Sequence, residues 1–271
     1  MQKVSEVLST IETNKKSMEF FKTGFTTLDE KLDGGFLRKE LIVIGGRTGI
    51  GKSYIAAQLM LNIAKQGFKC AYFSLEISNE LVVSRLVGSI ANIKSTRVRS
   101  GMLSLDELGQ LNEAKGTLSA YEDYLCFYDN VYKLEEVKKE VADNAYDFVV
   151  IDFIGNIMAL GSDEYSRLSL AALELQKLAK ETNSCILVLS QLSNSVAREG
   201  SQGTTVEYKG SGNIATVCDL GFFIEREQTF NITGADSIKL NLKKNRRGLS
   251  NIYFDLIFRH PGGWIYEQAQ S

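Results

Sequence analysis

Two regimes of apolar and polar positions alternate along this chain. Short, almost wholly apolar runs recur at Leu41–Ile44 (LIVI), Cys70–Leu75 (CAYFSL), Leu125–Tyr128, Phe148–Phe153 (FVVIDF) and Cys185–Ser190 (CILVLS). Such runs, bounded by turn residues, read as strands buried on both faces. Between them, apolar residues fall at three- and four-residue spacing. Residues 53–65 place Ile55, Leu59, Met60 and Ile63 on one helical face, with Gly67 as a natural terminator. Ser78 can cap a helix over residues 79–92. Ser104-Leu105-Asp106-Glu107 has the spacing of a capping box. Residues 134–143 read as a charged helix and 165–182 as a long amphipathic one. Strands alternating with helices predict parallel pairing with both sheet faces covered. Past residue 219 the alternation stops. LGFFIERE, DSIKLNLKK and NIYFDLIFR read as successive strands with short turns, an antiparallel extension. Residues 3–16 put Val4, Val7, Leu8 and Ile11 on one stripe. Residues 19–40 are turn-rich, and Ser195–Gly212 is a stretch of Gly, Ser and Thr.

Composition narrows the class. The chain has 271 residues, 44% apolar and 24% charged, which is ordinary for a globular α/β domain. A formal charge of −2 gives no global basic signal, so any nucleic-acid contact must come from local patches. Cys70, Cys126, Cys185 and Cys218 make no CxxC pair and read as reduced thiols in a cytosol. No apolar run is long enough for a bilayer-spanning helix, so the expectation is a cytoplasmic protein without membrane contact. The single histidine, His260, precedes the single proline, Pro261. Histidine metal sites and triads are thereby nearly excluded, and His260 reads as a turn residue.

One stretch carries chemistry. Gly46-Arg47-Thr48-Gly49-Ile50-Gly51-Lys52-Ser53 matches G-x-x-x-x-G-K-[ST], with an apolar strand before it and a helix after it. Glycines let successive N–H groups turn inward around an anion, and the helix N-terminus adds partial positive charge. In such a P-loop, Lys52 reaches the β and γ phosphates and the Ser53 hydroxyl ligates Mg²⁺. Asp152, closing FVVIDF, is placed to complete the Mg²⁺ shell. Glu76 follows CAYFSL and Gln191 follows CILVLS. In a parallel sheet both reach the edge where the phosphates lie. There Glu76 can orient an attacking water and Gln191 can sense the γ-phosphate. The plainer alternative for each is a solvated loop position.

TGFTTLDEKLDGGF (23–36), the P-loop, YFSLE (72–76), VVIDF (149–153), LSQLSN (189–194) and KKNRRG (243–248) occur in an order and spacing that resemble the carboxyl-terminal motor domain of DnaB-type replicative helicases. The resemblance covers roughly residues 20–268. It implies a RecA-like P-loop NTPase: an α/β domain with a mainly parallel twisted sheet flanked by helices and an antiparallel C-terminal extension. It further implies ATP and Mg²⁺ as cofactors, and a homo-oligomer, a hexameric ring, moving 5′ to 3′ on single-stranded DNA. Primase or a helicase loader would be a partner.

Residue by residue, the resemblance makes Lys52 and Ser53 the P-loop pair, Glu76 the catalytic glutamate, Asp152 the Mg²⁺ aspartate and Gln191 the sensor. Arg85 matches an arginine near the γ-phosphate. Lys244 and Arg246 match a K-x-R pair that reaches into the neighbouring subunit's ATP site; the plainer alternative is a basic hairpin end. Lys209-Gly210-Ser211-Gly212-Asn213 matches a loop that tracks the DNA backbone, although Gly210 stands where the family usually carries an acidic residue. Tyr165 and Arg167 lie on a second candidate DNA loop. Residues 1–19 resemble the end of a linker helix that docks on a neighbour, and 20–271 the motor. No segment resembles the family's amino-terminal helical domain. A second reading keeps the P-loop but makes ATP an assembly or DNA-binding switch, as in recombinase-like ATPases.

Overall fold

The computed structural model describes residues 3–6, 8, 19–191, 212–227 and 234–268. Each apolar run becomes a strand of one nine-stranded sheet. They are β3 (Leu41–Gly46), β4 (Cys70–Ser74), β5 (Leu125–Tyr128), β6 (Phe148–Asp152) and β7 (Cys185–Gln191), joined by β8 (Leu220–Glu227), β9 (Ala235–Asn245), β10 (Ile252–Arg259) and β11 (Trp264–Glu267). A two-residue pair, β1 (Phe20–Phe21) and β2 (Phe36–Leu37), lies apart from it. The sheet order is β11-β10-β9-β8-β3-β7-β6-β4-β5.

The expected antiparallel extension begins one strand later than its sequence suggests. β8 pairs with β3 in parallel, Ile42 opposite Leu220 and Gly45 opposite Phe223. Only β9, β10 and β11 then run antiparallel. The reason is the connection before β8. It contains helix α8 (Gly212–Val217), so the chain crosses over rather than turning back. The remaining helices are α1 (Thr26–Lys31), α2 (Lys52–Ala64), α3 (Asn79–Ala91), α4 (Ser95–Ser100), α5 (Leu105–Ser119), α6 (Leu134–Asn144) and α7 (Glu164–Glu181). The caps read from sequence form: Ser78 accepts from the Leu81 N–H, and Ser104 with Glu107 makes a reciprocal capping box. Sequence reasoning left β1, β2, α1, α4, α8 and β11 unassigned. α1, α4 and α8 are six residues long, too short to show a helical period. Of the stripe at residues 3–16, Val4 and Leu8 are exposed, and Val7 and Ile11 lie outside the described residues.

Alternation along each strand divides the core in two. Ile42, Ile44, Tyr72 and Val150 pack under α2 and α3. Leu41, Val43, Phe73 and Ile151 pack under α6, α7 and α8. At roughly 1.5–3 kcal/mol per fully buried large apolar side chain, these two layers dominate the stabilising side of the balance. Both must stay intact for the strand ends to hold their places.

The TGFTTLD stretch is structural. Thr23 donates both its N–H and its hydroxyl to Asp29 Oδ1, each at 2.8 Å. Arg247 reaches back to the same segment, donating to the carbonyls of Leu32 and Gly35. All four cysteines are free. No described helix is long and apolar enough to cross a membrane.

Candidate functional site

The carboxyl ends of β3, β4, β6, β7 and β8 gather at one edge of the sheet. The turn after β3 is built for an anion. Gly49 (φ +76°) and Gly51 (φ +112°) take left-handed backbone conformations that residues with a Cβ rarely adopt. A Cβ at Gly46 would lie 2.6 Å from Ile224 Cγ2, so the loop can sit close against β8 only with glycine there. Lys52 opens α2 and folds back over the loop, its Nζ donating to the carbonyls of Gly46 and Arg47, both at 2.9 Å. Burial lowers the pKa of its ammonium, while Asp152 and then Glu76 act to raise it.

Asp152 ends β6 and is 2% exposed. Its Oδ2 accepts from the Tyr72 hydroxyl at 2.6 Å. Burial, then the adjacent carboxylate, holds Tyr72 well above its usual pKa, so it remains a neutral donor. Removing that donor leaves a buried carboxylate one hydrogen bond short. Tyr72→Phe should therefore cost about 1–3 kcal/mol of stability. Urea denaturation should show it as a lowered midpoint at unchanged slope.

Glu76 lies two residues past Ser74, the partner of Asp152 in the sheet register. Gln191 is paired with Gly46 itself. Arg85 projects from α3 over the Tyr54 ring, 5.5 Å from its centroid. Thr48, Gly49, Lys52, Ser53, Glu76, Arg85, Asp152 and Gln191 thus line one cleft of about 290 Å³. Arg47 and Ile50 belong to the same turn without lining it.

One wall of that cleft comes from β8 and was not foreseen. Arg226 stacks on Phe258, 4.0 Å from the ring centroid, and its Nε donates to Asp236 Oδ2 at 2.8 Å. Its Nη2 contacts the same carboxylate. His260 is more than a turn residue. Its Nε2 lies 3.0 Å from Asp236 Oδ2 and 3.1 Å from Arg226 Nη2. Burial raises the Asp236 pKa, but the bonds from His260 and Arg226 outweigh it and hold the carboxyl below its ordinary range.

Lys244 and Arg246 are not in this cleft. Asn245 lies opposite Leu220, and Leu220 opposite Ile42. That is four residues before Gly46, about 13 Å along the strand. The two cations therefore sit at the opposite edge of the sheet. The Lys244 ammonium donates to the carbonyls of Ala215 and Thr216, and burial lowers its pKa. Arg246 pairs with Asp219 at 2.9 Å. Arg167 lies in the first turn of α7, its Nε buried with no hydrogen-bond partner among the described residues, and Tyr165 beside it is exposed. Gly212 begins α8. Lys209, Gly210 and Ser211 lie outside the described residues.

Residues 21–261 match the family model of the DnaB-like helicase C terminal domain. The chain belongs to that family. Among curated members it is 31% identical over 254 residues to the replicative DNA helicase DnaB of Treponema pallidum (strain Nichols), covering 90% of this chain and 56% of that one. It is 27% identical to the probable plasmid replicative DNA helicase of Chlamydia trachomatis, covering 94% and 57%. The chain thus spans little more than half the length of the relatives it matches. The fold agrees. A solved ATPase domain superposes with a TM-score of 0.87 at 19% identity, covering 99% of this chain and all of that one. A DnaB-like replicative helicase, solved in work on its interactions with primase, superposes at 0.84 and 18% identity, covering 99% and 68%.

In this DnaB-like domain, Tyr72 had one signal in the sequence: a phenol within an apolar buried strand needs a polar partner. Arg226 had a signal too. It is a charge at the carboxyl end of a strand, as Asp152 is. Reading β8 as antiparallel sent that end to the wrong edge of the sheet.

Proposed function

We propose that this chain is the motor of a ring-shaped replicative helicase, hydrolysing ATP between neighbouring subunits to move 5′ to 3′ on single-stranded DNA and unwind duplex. One observation carries the reading. The cleft gathers a phosphate cradle, a buried carboxylate, a glutamate and a glutamine from one chain, while the K-x-R pair of that chain sits at the opposite edge of the sheet, out of reach of it. A cleft so arranged is half of a site, and a second copy brings the other half.

In this reading the triphosphate lies against the start of α2, cradled by Gly46, Arg47, Thr48, Gly49, Ile50 and Gly51. The Lys52 ammonium exchanges two loop carbonyls for phosphate oxygens. The Ser53 hydroxyl and the buried Asp152 carboxylate are hard oxygen donors. Two such ligands suit Mg²⁺, which keeps most of its shell for water and phosphate. Bound there, the cation supplies charge neutralisation across the phosphates. Glu76 orients the attacking water, Gln191 hydrogen-bonds toward the terminal phosphate, and Arg85 adds charge from α3. Arg246, with Lys244 behind it, completes the charge shell in trans. Lys209, Gly210, Ser211 and Gly212, with Arg167, line the strand's path and contact backbone phosphates, giving little sequence preference. The ring is hexameric, and primase or a loader binds the assembled particle.

Mass in solution should rise to a ring with ATP and single-stranded DNA. ATP turnover per subunit should climb with protein concentration and with DNA, and a 5′-tailed fork should be unwound. Hydrolysis independent of DNA and of concentration would overturn the motor reading. Assembly on DNA without strand displacement would replace it with the switch.

A further inference from the structure

Arg246 has to meet a phosphate on another subunit, yet its side chain is long and 43% exposed. Left free, it would lose much of its effect to rotamer entropy. The structure does not leave it free. Its Nη1 donates to Asp219 Oδ1 at 2.9 Å and its Nη2 to the Thr216 carbonyl at 2.9 Å. Its own N–H donates to the Asp219 carbonyl at 3.0 Å. Asp219 is itself clamped. Its Oδ2 accepts from the Leu41 N–H at 2.9 Å, and its N–H donates to the Leu41 carbonyl. Leu41 begins β3, the strand that delivers the P-loop at its other end.

Neighbouring contacts reinforce the arrangement. The last carbonyls of α8 have no helical partners of their own. Lys244 caps those of Ala215 and Thr216, and Gln176 caps that of Val217 at 2.7 Å. The Lys244 ammonium is thus committed inward, and the guanidinium of Arg246 is the member left partly open to a neighbour.

We infer that Asp219 is a positioning residue for the in-trans arginine: it ties the Arg246 guanidinium to the base of β3, so that each subunit presents a preset cation to the next subunit's cleft. This rests on the proposal that Arg246 acts in trans.

Asp219→Asn is the test, because an amide oxygen can still accept from Leu41 while the ion pair to Arg246 is lost. ATP turnover should fall about tenfold, the scale of one charge-assisted hydrogen bond. The KM for ATP should hold, since the variant's own cleft is untouched. Mixing separates positioning from misfolding. Lys52→Ala subunits lack a phosphate cradle but carry an intact Asp219–Arg246 pair. Mixed with Asp219→Asn subunits, they should restore turnover above that of either variant alone. Arg246→Ala mixed with Lys52→Ala is the control. Recovery in the control but not with Asp219→Asn overturns the positioning role and leaves the in-trans reading standing. Full activity of Asp219→Asn alone also overturns it. No recovery in the control sinks the in-trans reading, and this inference with it.

Discussion

Arg246→Ala should abolish ATP turnover and leave nucleotide binding almost unchanged. The argument is spatial. Lys52, Ser53, Glu76, Asp152 and Gln191 line one cleft at the carboxyl ends of the parallel strands. Arg246 follows β9 at the opposite edge, tied to Asp219 and Thr216. Its loss removes nothing that holds a nucleotide within the same chain. On the proposed in-trans reading, what it removes is charge compensation for the transition state in the adjoining cleft, which for arginine fingers amounts to about 10³–10⁵ in rate. Fluorescent-nucleotide titration should therefore give a dissociation constant within about twofold of wild type, a change of less than about 0.5 kcal/mol. Steady-state hydrolysis should fall to background. A variant that hydrolyses normally would remove the arginine from the site. A variant that no longer binds nucleotide would place it in its own cleft.

How much of this was legible in the chain depended on whether a signal was local. Every long apolar run became a strand, because burial on both faces leaves a continuous signature. Asp152, Glu76 and Gln191 were found by one rule, polar residues at the ends of such runs, and all three line the cleft. The rule failed where strand direction was misjudged. LGFFIERE has the alternation of either kind of strand, and only the crossover through α8 makes β8 parallel and carries Arg226 to the P-loop edge. Asp236 and His260 were hidden for another reason. They lie 24 residues apart on β9 and just past β10 and meet only across the antiparallel pairing. Asp219 carried no sequence signal, since its partners are a backbone N–H 178 residues away and an arginine 27 residues on. Side chains that act by holding other side chains leave no period in a sequence. The KKNRRG stretch shows the converse. Three of its cations look alike in sequence, but Lys244 caps α8, Arg247 ties down the segment before β3, and only Arg246 is left turned partly outward.

Glu76→Gln should separate binding from chemistry more sharply than any other change within the cleft. Glu76 stands just beyond β4, exposed at the cleft's rim, while Asp152 is buried and bonded to Tyr72. In the proposed mechanism the buried carboxylate serves the cation, and the exposed one takes the proton from water. Exchanging its carboxylate for an amide keeps size and hydrogen bonding but removes the base, and positioned general bases contribute about 10²–10⁴ in rate. Turnover should drop by that factor, whereas ATP affinity should be kept or tightened, because Glu76 adds negative charge to the cleft that would hold the phosphates. Since hydrolysis would no longer clear the site, the variant should also hold ATP long enough to stabilise the ring. Sedimentation with ATP and single-stranded DNA should then show a longer-lived assembly than wild type. Retention of full turnover would remove Glu76 as the base. Loss of ATP binding would mean that the glutamate supports the cradle instead of activating water.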